Sequence, residues 1–299
     1  MSAEALLAWR RGLLAEGGQP ADLDWLLDLA GGLAWPKLQA LRLNPDRPVN
    51  LACSLAHLED LWRRHLAAQV PLQYLVGRCP WRDLEVQVGP GVLIPRQETE
   101  HLPDLAVALR RSPAAEPRLW ADLGTGSGCL ALALALVFPH SLGLAVDVSA
   151  DALAQAEVNL RPYGALARVR LLRSDWWQHL SPWWGQLDLV VANPPYVPSA
   201  SVDGLEPVVR LHEPRLALDG GPDGLAALRQ VVAGAPQALA PDGLLLLEHH
   251  HDQSAAVLAL LKAAGLVELC AHPDLEGVLR FASARRPAAT MAPAEIPQA

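Results

Sequence analysis

The stretch Arg118–Phe138, RLWADLGTGSGCLALALALVF, decides the fold, because it passes from an apolar strand through three glycines into an apolar helix. Gly124, Gly126 and Gly128 allow the backbone to turn tightly and to approach a ligand near the free amides of a helix start. A phosphate-binding P-loop would end in a lysine and a hydroxyl residue, but a cysteine and a leucine follow here. The dinucleotide fingerprint also fails, since Cys129 occupies its last glycine position. The loop therefore predicts a different kind of ligand site.

Apolar strands alternate with helical segments from Arg118 onward. The strands are RLWADLG, LGLAVDVS, VRLLRSD, LDLVVANPP and GLLLLEH, and two short strands follow near the carboxyl end. Strands that are apolar throughout and separated by helices indicate a mostly parallel sheet with helices on both faces. The sequence therefore predicts an α/β protein with a Rossmann-like sheet.

The amino-terminal region has a different pattern. Leucines and tryptophans recur at helical spacing through AEALLAWRRGLLAE, ADLDWLLDLAGG and SLAHLEDLWRRHLAAQ, the last with Ser54 as N-cap. WRDLEVQVGPGVLIP then alternates with a period of two, which predicts a hairpin that turns around Gly89-Pro90-Gly91. We expect a helical domain over residues 1–80, a hairpin and linker over 81–100, the α/β domain over 101–286 and a disordered tail over 287–299.

Bulk composition excludes several classes of protein. No apolar run approaches the roughly 18 residues that a membrane helix needs, and the charge order of MSAEALLAWRR is the reverse of that in a secretory signal. We therefore expect a soluble, cytoplasmic protein. A net charge of −8 argues against broad binding to nucleic acid. The four cysteines are far apart in sequence, which predicts buried, reduced thiols and no zinc site.

Acidic and aromatic residues follow the second and third strands of the predicted sheet. Asp147 ends the second strand, where a carboxylate can accept both hydroxyl hydrogens of a ribose. With the glycine loop, this predicts a cofactor that contains adenosine; the alternative is a packing turn with Asp147 as a helix cap. After the third strand, Asp175 could accept from an adenine amino group and Trp176 could lie against the base, or the two could be a cap and a core aromatic.

The fourth strand ends on Asn193-Pro194-Pro195-Tyr196, at the same predicted sheet edge. Prolines fix φ and leave their carbonyls rigid, and asparagine offers an acceptor oxygen beside a donor nitrogen. The Asn193 oxygen and the Pro194 carbonyl could together hold a planar NH2 group, with the flat face of Tyr196 beside it. Such a cradle suits methylation of an amide or exocyclic amine, whose delocalised lone pair must be aligned with the methyl group.

These motifs together closely resemble those of the release-factor glutamine methyltransferases, the HemK/PrmC family. The resemblance runs from the amino-terminal helices nearly to residue 286 and includes PLQYLVG, LIPRQETE, DLGTGSG, AVDVS, SDWW, ANPPY, EPRLALDGGPDGL and LLLEH. ANPPY alone is shared with adenine and other amino methyltransferases, so it indicates the chemistry more than the substrate. The motifs IPR-x-ETE and EPRLAL-x-GG-x-DGL are far more specific.

The resemblance implies S-adenosylmethionine as methyl donor and, as acceptor, the glutamine amide of the Gly-Gly-Gln motif in peptide-chain release factors. It implies a helical domain that helps to grip this protein substrate, and we expect a monomer that needs no metal. The implied donor-binding residues are Gly124, Thr125, Gly126, Ser127, Gly128, Asp147, Asp175, Trp176 and Asn193. The implied substrate-binding residues are Asn193, Pro194, Pro195 and Tyr196, of which Asn193, Pro194 and Tyr196 form the catalytic group.

Two departures and three alternatives accompany this interpretation. Gln97 stands where the family usually has proline, and His249-His250-His251 stands where a glycine commonly follows the first position; a solvated or helix-capping cluster is favoured over a metal site there. The alternative substrates are a ribosomal-protein glutamine and an adenine in nucleic acid. A non-catalytic adapter is disfavoured by the intact glycine loop, Asp147 and the Asn193–Tyr196 motif.

Overall fold

The computed structural model describes residues 1–112 and 116–288. These residues form two compact units: the first contains Met1–Arg78 with Glu206–His212, and the second contains the rest of the described chain. The predicted tail, 287–299, lies outside the described residues from position 289 onward.

Helices and strands alternate along the chain as follows. The helices are α1 Ala3–Glu16, α2 Pro20–Leu29, α3 Trp35–Leu41, α4 Leu55–Ala68, α5 Leu72–Val76, α6 His101–Ala108, α7 Cys129–Val137, α8 Ala150–Leu160, α9 Ser199–Val202, α10 Pro207–Arg210, α11 Ala226–Ala238 and α12 Ser254–Ala263. The strands are β1 Arg78–Trp81, β2 Leu84–Gln87, β3 Leu119–Leu123, β4 Leu142–Asp147, β5 Val169–Arg173, β6 Leu187–Ala192, β7 Leu239–Glu248, β8 Val267–Pro273 and β9 Leu279–Arg285. Short 3₁₀ turns cover Glu98–Glu100, Arg161–Tyr163, Ala165–Ala167, Ser181–Trp183 and Arg215–Ala217.

The first unit is helical, with α1–α5 and α10. The side chain of Ser54 accepts a hydrogen bond from the His57 amide, so the predicted N-cap of α4 is confirmed. Leu6, Leu27 and Trp62 are fully buried in its core, as the helical spacing of apolar residues predicts. The late segment Glu206–His212 belongs to this unit, a feature that no local pattern indicates.

The second unit contains a seven-stranded sheet with the order β5-β4-β3-β6-β7-β9-β8. The five strands from β5 to β7 are parallel, and β9 lies antiparallel between β7 and β8. The carboxyl ends of β3, β4, β5 and β6 therefore meet at one edge of the sheet, as predicted. The strand order reverses direction at β3, because β4 lies on one side of β3 and β6 on the other. In open α/β sheets, ligands bind at such a switch point.

Both faces of this sheet are buried, which confirms the predicted α/β class. On one face Leu123, Val190 and Leu245 share a core cluster with apolar residues of α11 and α12. The alternate residues Val191 and Leu246 are buried on the opposite face, and helices α6, α7 and α8 also pack on the strands. A strand buried on both faces is apolar at nearly every position, which explains why its sequence does not alternate.

The predicted hairpin forms, but its turn was placed wrongly. β1 and β2 pair across the two residues Arg82-Asp83, and Arg82 adopts a φ of 54°. Positive φ suits a two-residue hairpin loop, although arginine rarely adopts it. The guanidinium of Arg82 forms an ion pair with Asp104 in α6, at 2.8 Å. Gly89-Pro90-Gly91 instead follows β2.

In the part of the chain that the structure describes, no helix is both long and apolar enough to cross a membrane.

Candidate functional site

A cavity of about 360 Å³ opens at the carboxyl ends of β3 to β6 in the second unit. Its volume is within the range of ~300–1,000 Å³ that is usual for small-molecule sites. Eight of the nine predicted donor-binding residues line it, namely Gly124, Thr125, Gly126, Ser127, Asp147, Asp175, Trp176 and Asn193. Residues that are up to 69 positions apart in sequence (124 to 193) are thus brought together because parallel strands end at one edge.

All three glycines of the loop have positive φ, Gly124 at 76°, Gly126 at 55° and Gly128 at 80°. A Cβ added to Gly126 would meet no atom within 4 Å, so the loop presents bare backbone to open space. Gly128 has a different role. It does not line the cavity, and a Cβ there would lie 2.8 Å from the Ala156 Cβ, so its glycine permits close packing of α7 against α8.

Two backbone amides hold the Asp147 carboxylate in a fixed position at the cavity. Its Oδ2 accepts from the Gly126 amide and its Oδ1 from the Ser149 amide, each at 2.9 Å. Each oxygen keeps a further lone pair, so the carboxylate can still accept two hydroxyl hydrogens. Burial raises the pKa of Asp147, and the backbone amides partly oppose that shift by stabilising the charged form. The alternative interpretation, Asp147 as a helix cap, is wrong, because Ser149 caps α8.

Asp175 and Trp176 form the wall beyond β5. Asp175 is exposed, and its carboxylate makes no hydrogen bond to any residue within the described ranges. Trp176 adopts a φ of 45°, unusual for a bulky residue, and the Ser174 hydroxyl donates to its carbonyl at 3.1 Å. Its ring lies beside Gly124, with the Cζ3 atom 3.6 Å from the position of a Cβ there. The arrangement leaves an acidic acceptor next to an aromatic plane.

The Asn193–Tyr196 motif follows β6 at the same edge. The Asn193 Nδ2 donates to the Thr99 hydroxyl at 2.9 Å, and Oδ1 accepts no hydrogen bond within the described chain. Asn193 and Pro195 line the cavity, whereas Pro194 is buried and Tyr196 lies behind the wall. No described residue donates to the Pro194 carbonyl. Two predicted acceptors are therefore available near the cavity, but the Tyr196 ring is not part of its lining.

Tyr196 is anchored away from the cavity. Its hydroxyl donates to the Glu248 carboxylate at 3.4 Å, and its ring lies 6.1 Å from that of His250. Burial, and then the charge of Glu248, raises the pKa of Tyr196 above its usual value. The phenol therefore stays protonated at neutral pH and cannot serve as a general base.

A second glycine-rich segment, Asp219–Gly224, packs directly against this motif. The Val197 amide donates to Leu218 and the Gly220 amide donates to Val197, at 3.0 and 2.8 Å. A Cβ on Gly224 would overlap the Tyr196 carbonyl oxygen. The Asp219–Gly224 segment thus supports the Pro-Pro-Tyr backbone from behind and fixes its path.

Sequence reasoning missed several buried polar residues around the site. Glu248 is 2% exposed and accepts from the Thr99 hydroxyl at 2.7 Å. Asp122, which is fully buried, accepts from the Thr125 hydroxyl at 2.7 Å. Glu213, with a side chain 1% exposed, pairs with Arg96 at 2.8 Å. An acidic residue at the end of an otherwise apolar strand, as in LWAD and LLLLE, is the local signal that could have indicated the first two.

Burial of Asp122 predicts a distinctive pH dependence of stability. Burial raises the pKa of Asp122 from 3.8 to about 7, so the folded protein favours its protonated form. The raised pKa contributes fully to the free energy of unfolding below pH 4. This contribution is lost as the pH rises towards 7, at up to about 1.4 kcal/mol per pH unit. In urea unfolding between pH 4.5 and 7, we expect Asp122→Asn to remove this loss. Parallel pH profiles of wild type and variant would contradict the assignment.

The three consecutive histidines do not behave alike. His249 is 1% exposed, with a ring nitrogen contacting the His250 carbonyl, while His250 hydrogen bonds to Asp252 at 2.6 Å. The predicted solvated cluster is wrong for His249, which is buried, whereas His251 is exposed and its ring contacts that of His250 at 4.1 Å between centroids. No group of ligating side chains in the described residues is arranged to hold a metal ion.

All four cysteines are free thiols, but only two are buried. Cys79 and Cys129 match the prediction, and burial raises the pKa of Cys129 to about 12, so it is not a nucleophile. Cys53 is half-buried and Cys270 is exposed, which contradicts the prediction that every thiol is buried. Cys270 lies on the edge strand β8, which has a neighbour on one side only.

Comparison with known proteins identifies the family to which the chain is similar. The family model "Methyltransferase small domain" matches residues 106–206. A release factor glutamine methyltransferase of Prochlorococcus marinus is 51% identical over 286 residues, which cover 96% of this chain and 98% of that protein. The enzyme of the same name from Thermosynechococcus vestitus is 42% identical and covers 96% of this chain and 100% of the relative. A third, from Geobacter sulfurreducens, is 39% identical and covers 94% and 95%.

Among solved structures, the catalytic domain of hMettl16 aligns with a TM-score of 0.53 at 12% identity. The alignment covers 83% of this chain and 88% of that chain, and it supports the methyltransferase fold alone. The full-length relatives carry the stronger conclusion, since they match both units at identities that establish common descent. The chain therefore belongs to the release factor glutamine methyltransferase family.

Proposed function

We propose that this protein transfers the methyl group of S-adenosylmethionine to the side-chain amide nitrogen of the glutamine in the Gly-Gly-Gln motif of release factors. The observation that carries the proposal is the hydrogen bonding of the Asn193 side-chain amide. Its Nδ2 is bound by Thr99, so that Oδ1 remains as an acceptor at the wall of the cavity that contains the glycine loop and Asp147. The names of the full-length relatives support a glutamine amide as the group that Asn193 holds.

The cavity residues fit S-adenosylmethionine. The spare lone pairs of Asp147 match a ribose diol, the open face of Gly126 admits a close approach, and the free carboxylate of Asp175 matches an adenine amino group. We propose that these residues, with Thr125 and Trp176, hold the donor. When bound, S-adenosylmethionine supplies an electrophilic methyl group on a sulfonium.

The chain's own contribution to the reaction is orientation and charge stabilisation. An amide nitrogen is a weak nucleophile because its lone pair is delocalised into the carbonyl. Asn193 Oδ1 and the Pro194 carbonyl can accept the two hydrogens of that NH2 group, which aligns the lone pair and stabilises the positive charge that develops on nitrogen. Because Tyr196 stays protonated, the extra proton of the product is lost to water.

Loss of the Asp147 carboxylate should weaken donor binding more than it weakens the fold. Asp147→Ala removes two charge-assisted hydrogen bonds to a ribose, each partly offset by water, so we expect the Kd for S-adenosylmethionine to rise about 10- to 30-fold. Isothermal titration calorimetry measures this change. Asp46→Ala, at an exposed aspartate of the helical unit, is the matched control and should leave the Kd unchanged. An unchanged Kd for Asp147→Ala would remove Asp147 from the donor site.

The decisive experiment uses methyl-labelled S-adenosylmethionine with purified release factor, ribosomal proteins or DNA. We expect label on the release factor, and none after the glutamine of its Gly-Gly-Gln motif is changed. Label confined to ribosomal proteins or to DNA would overturn the proposal in favour of one of the two alternative substrates. The net charge of −8 disfavours DNA, because phosphates require clustered cations.

We further propose that the helical unit of α1–α5 helps to grip the protein substrate. The monomeric state, the cytoplasmic location and the lack of stable binding to nucleic acid stay predictions. Size-exclusion chromatography with light scattering tests the first of them.

A further inference from the structure

A chain of hydrogen bonds links the cavity wall to a carboxylate that does not touch the cavity. The Asn193 Nδ2 donates to the Thr99 hydroxyl oxygen, and the Thr99 hydroxyl donates to the Glu248 Oε2 at 2.7 Å. Glu248 is buried at the end of β7, and Thr99 lies in the 3₁₀ turn Glu98–Glu100. Glu248 is absent from the cavity lining, so it cannot contact the reacting atoms.

The direction of this chain follows from the number of protons that each group has. Burial raises the pKa of Glu248 to about 7, so above that pH its carboxylate is ionised and can only accept, and the single hydroxyl proton of Thr99 must point towards it. The Thr99 oxygen then has only lone pairs left, and it can bind the NH2 group of Asn193 but not its carbonyl. The side chain of Asn193 is thereby fixed with Oδ1 as the free acceptor. With the amide rotated by 180°, Asn193 would present hydrogens to the substrate's NH2 group and repel it.

We propose that Glu248 is a positioning residue, which acts through Thr99 to fix the amide orientation of Asn193 for methyl transfer. The inference rests on the proposed function, because it assigns the acceptor Oδ1 to an amide NH2 group. A second connection runs from the Tyr196 hydroxyl to the other Glu248 oxygen, so one carboxylate is linked to both ends of the Asn193–Tyr196 motif, to Tyr196 directly and to Asn193 through Thr99. The other charged groups that act on Glu248 are Glu98 and Arg280.

The first test separates orientation from packing at Thr99. Thr99→Val keeps the shape of the side chain but removes its hydroxyl, so Asn193 loses the contact that sets its orientation. At pH 8.5, with release factor as substrate, we expect kcat to fall about 10- to 30-fold, while the Kd for S-adenosylhomocysteine stays near that of wild type. The melting temperature should fall, because two buried partners lose a hydrogen bond, but the variant should remain folded at the assay temperature. Thr99→Ser, which retains the hydroxyl, should restore kcat to within about threefold of wild type. Equal losses for valine and serine would indicate packing and overturn the proposal.

The second test asks whether Glu248 acts through Thr99. Glu248→Gln is isosteric and offers Thr99 either a donor or an acceptor, so the Asn193 amide can adopt both orientations, and we expect kcat to fall about 5- to 10-fold. In a Thr99→Val background the connection to Asn193 is already broken, and the glutamine oxygen can still accept from the Tyr196 hydroxyl, so Glu248→Gln should have no further effect on kcat. Multiplicative losses in the double variant, or an unchanged kcat for Glu248→Gln alone, would overturn the proposal.

These outcomes are separable from those that test the substrate. A wild-type protein that does not methylate release factor refutes the proposed function. A wild-type protein that does so, with Thr99 and Glu248 variants of equal activity, refutes only the positioning role.

Discussion

Asn193→Ala should lower kcat for release-factor methylation by about 10²–10³-fold, as the loss of one preorganised polar group does in comparable catalytic sites. The variant lacks the acceptor Oδ1 but leaves the cavity wall and the strand β6 in place, so the fold should persist. Initial rates with labelled S-adenosylmethionine give kcat, and circular dichroism verifies the fold. The loss should appear mainly in kcat, because the cradle is most strongly engaged when charge develops on the amide nitrogen.

Asn50→Ala is the control for this variant, since Asn50 is an exposed asparagine of the helical unit without a hydrogen bond in the described chain. It should retain the wild-type kcat. An Asn193→Ala protein with more than about a tenth of the wild-type kcat would contradict the cradle mechanism, because the expected loss is at least ~10²-fold.

The sheet and the cavity could be predicted because their signals are local. Each parallel strand is a continuous apolar run, and the residue that follows it marks the functional edge, as Gly124, Asp147 and Asn193 do. The topology of the sheet then brings these residues close to one another, because parallel strands have their carboxyl ends at the same edge. No further information from the sequence is needed. Eight of the nine predicted donor-binding residues reached the cavity for this reason.

The residues behind the wall could not be predicted in this way. Thr99 and Glu248 are 149 positions apart, and their contact depends on how the turn before α6 packs on the end of β7. The hairpin turn was missed because Arg82 adopts the positive φ that a two-residue loop requires, and no glycine or asparagine marks that position in the sequence. Gly128 was predicted to bind the donor because it lies in the glycine loop, but it packs against Ala156. Tertiary contacts decided the cases of Thr99, Glu248 and Gly128.

Gly224→Ala should reduce kcat about 10²-fold, although residue 224 does not line the cavity. A Cβ there would overlap the Tyr196 carbonyl oxygen and lie 2.6 Å from the Nε2 atom of Gln253. Gln253 donates to that same carbonyl at 3.0 Å, so the added methyl group displaces both partners of this contact. The backbone between Pro194 and Tyr196 must then shift, and displacements of about 1 Å in a positioned site typically cost such a factor in rate.

Strain from positive φ is a competing explanation, and a second glycine separates it from the displacement. Gly224 has a φ of 72° and Gly164 a φ of 66°, but a Cβ on Gly164 would meet no atom within 4 Å. Gly164→Ala therefore carries the same backbone cost of about 1 kcal/mol without moving any neighbour. We expect it to lower the melting temperature and to leave kcat at the wild-type value, whereas Gly224→Ala lowers both. Similar kcat values for the two variants would show that the Asp219–Gly224 segment does not position the Asn193–Tyr196 motif, because of the two added methyl groups only the one at residue 224 reaches that motif.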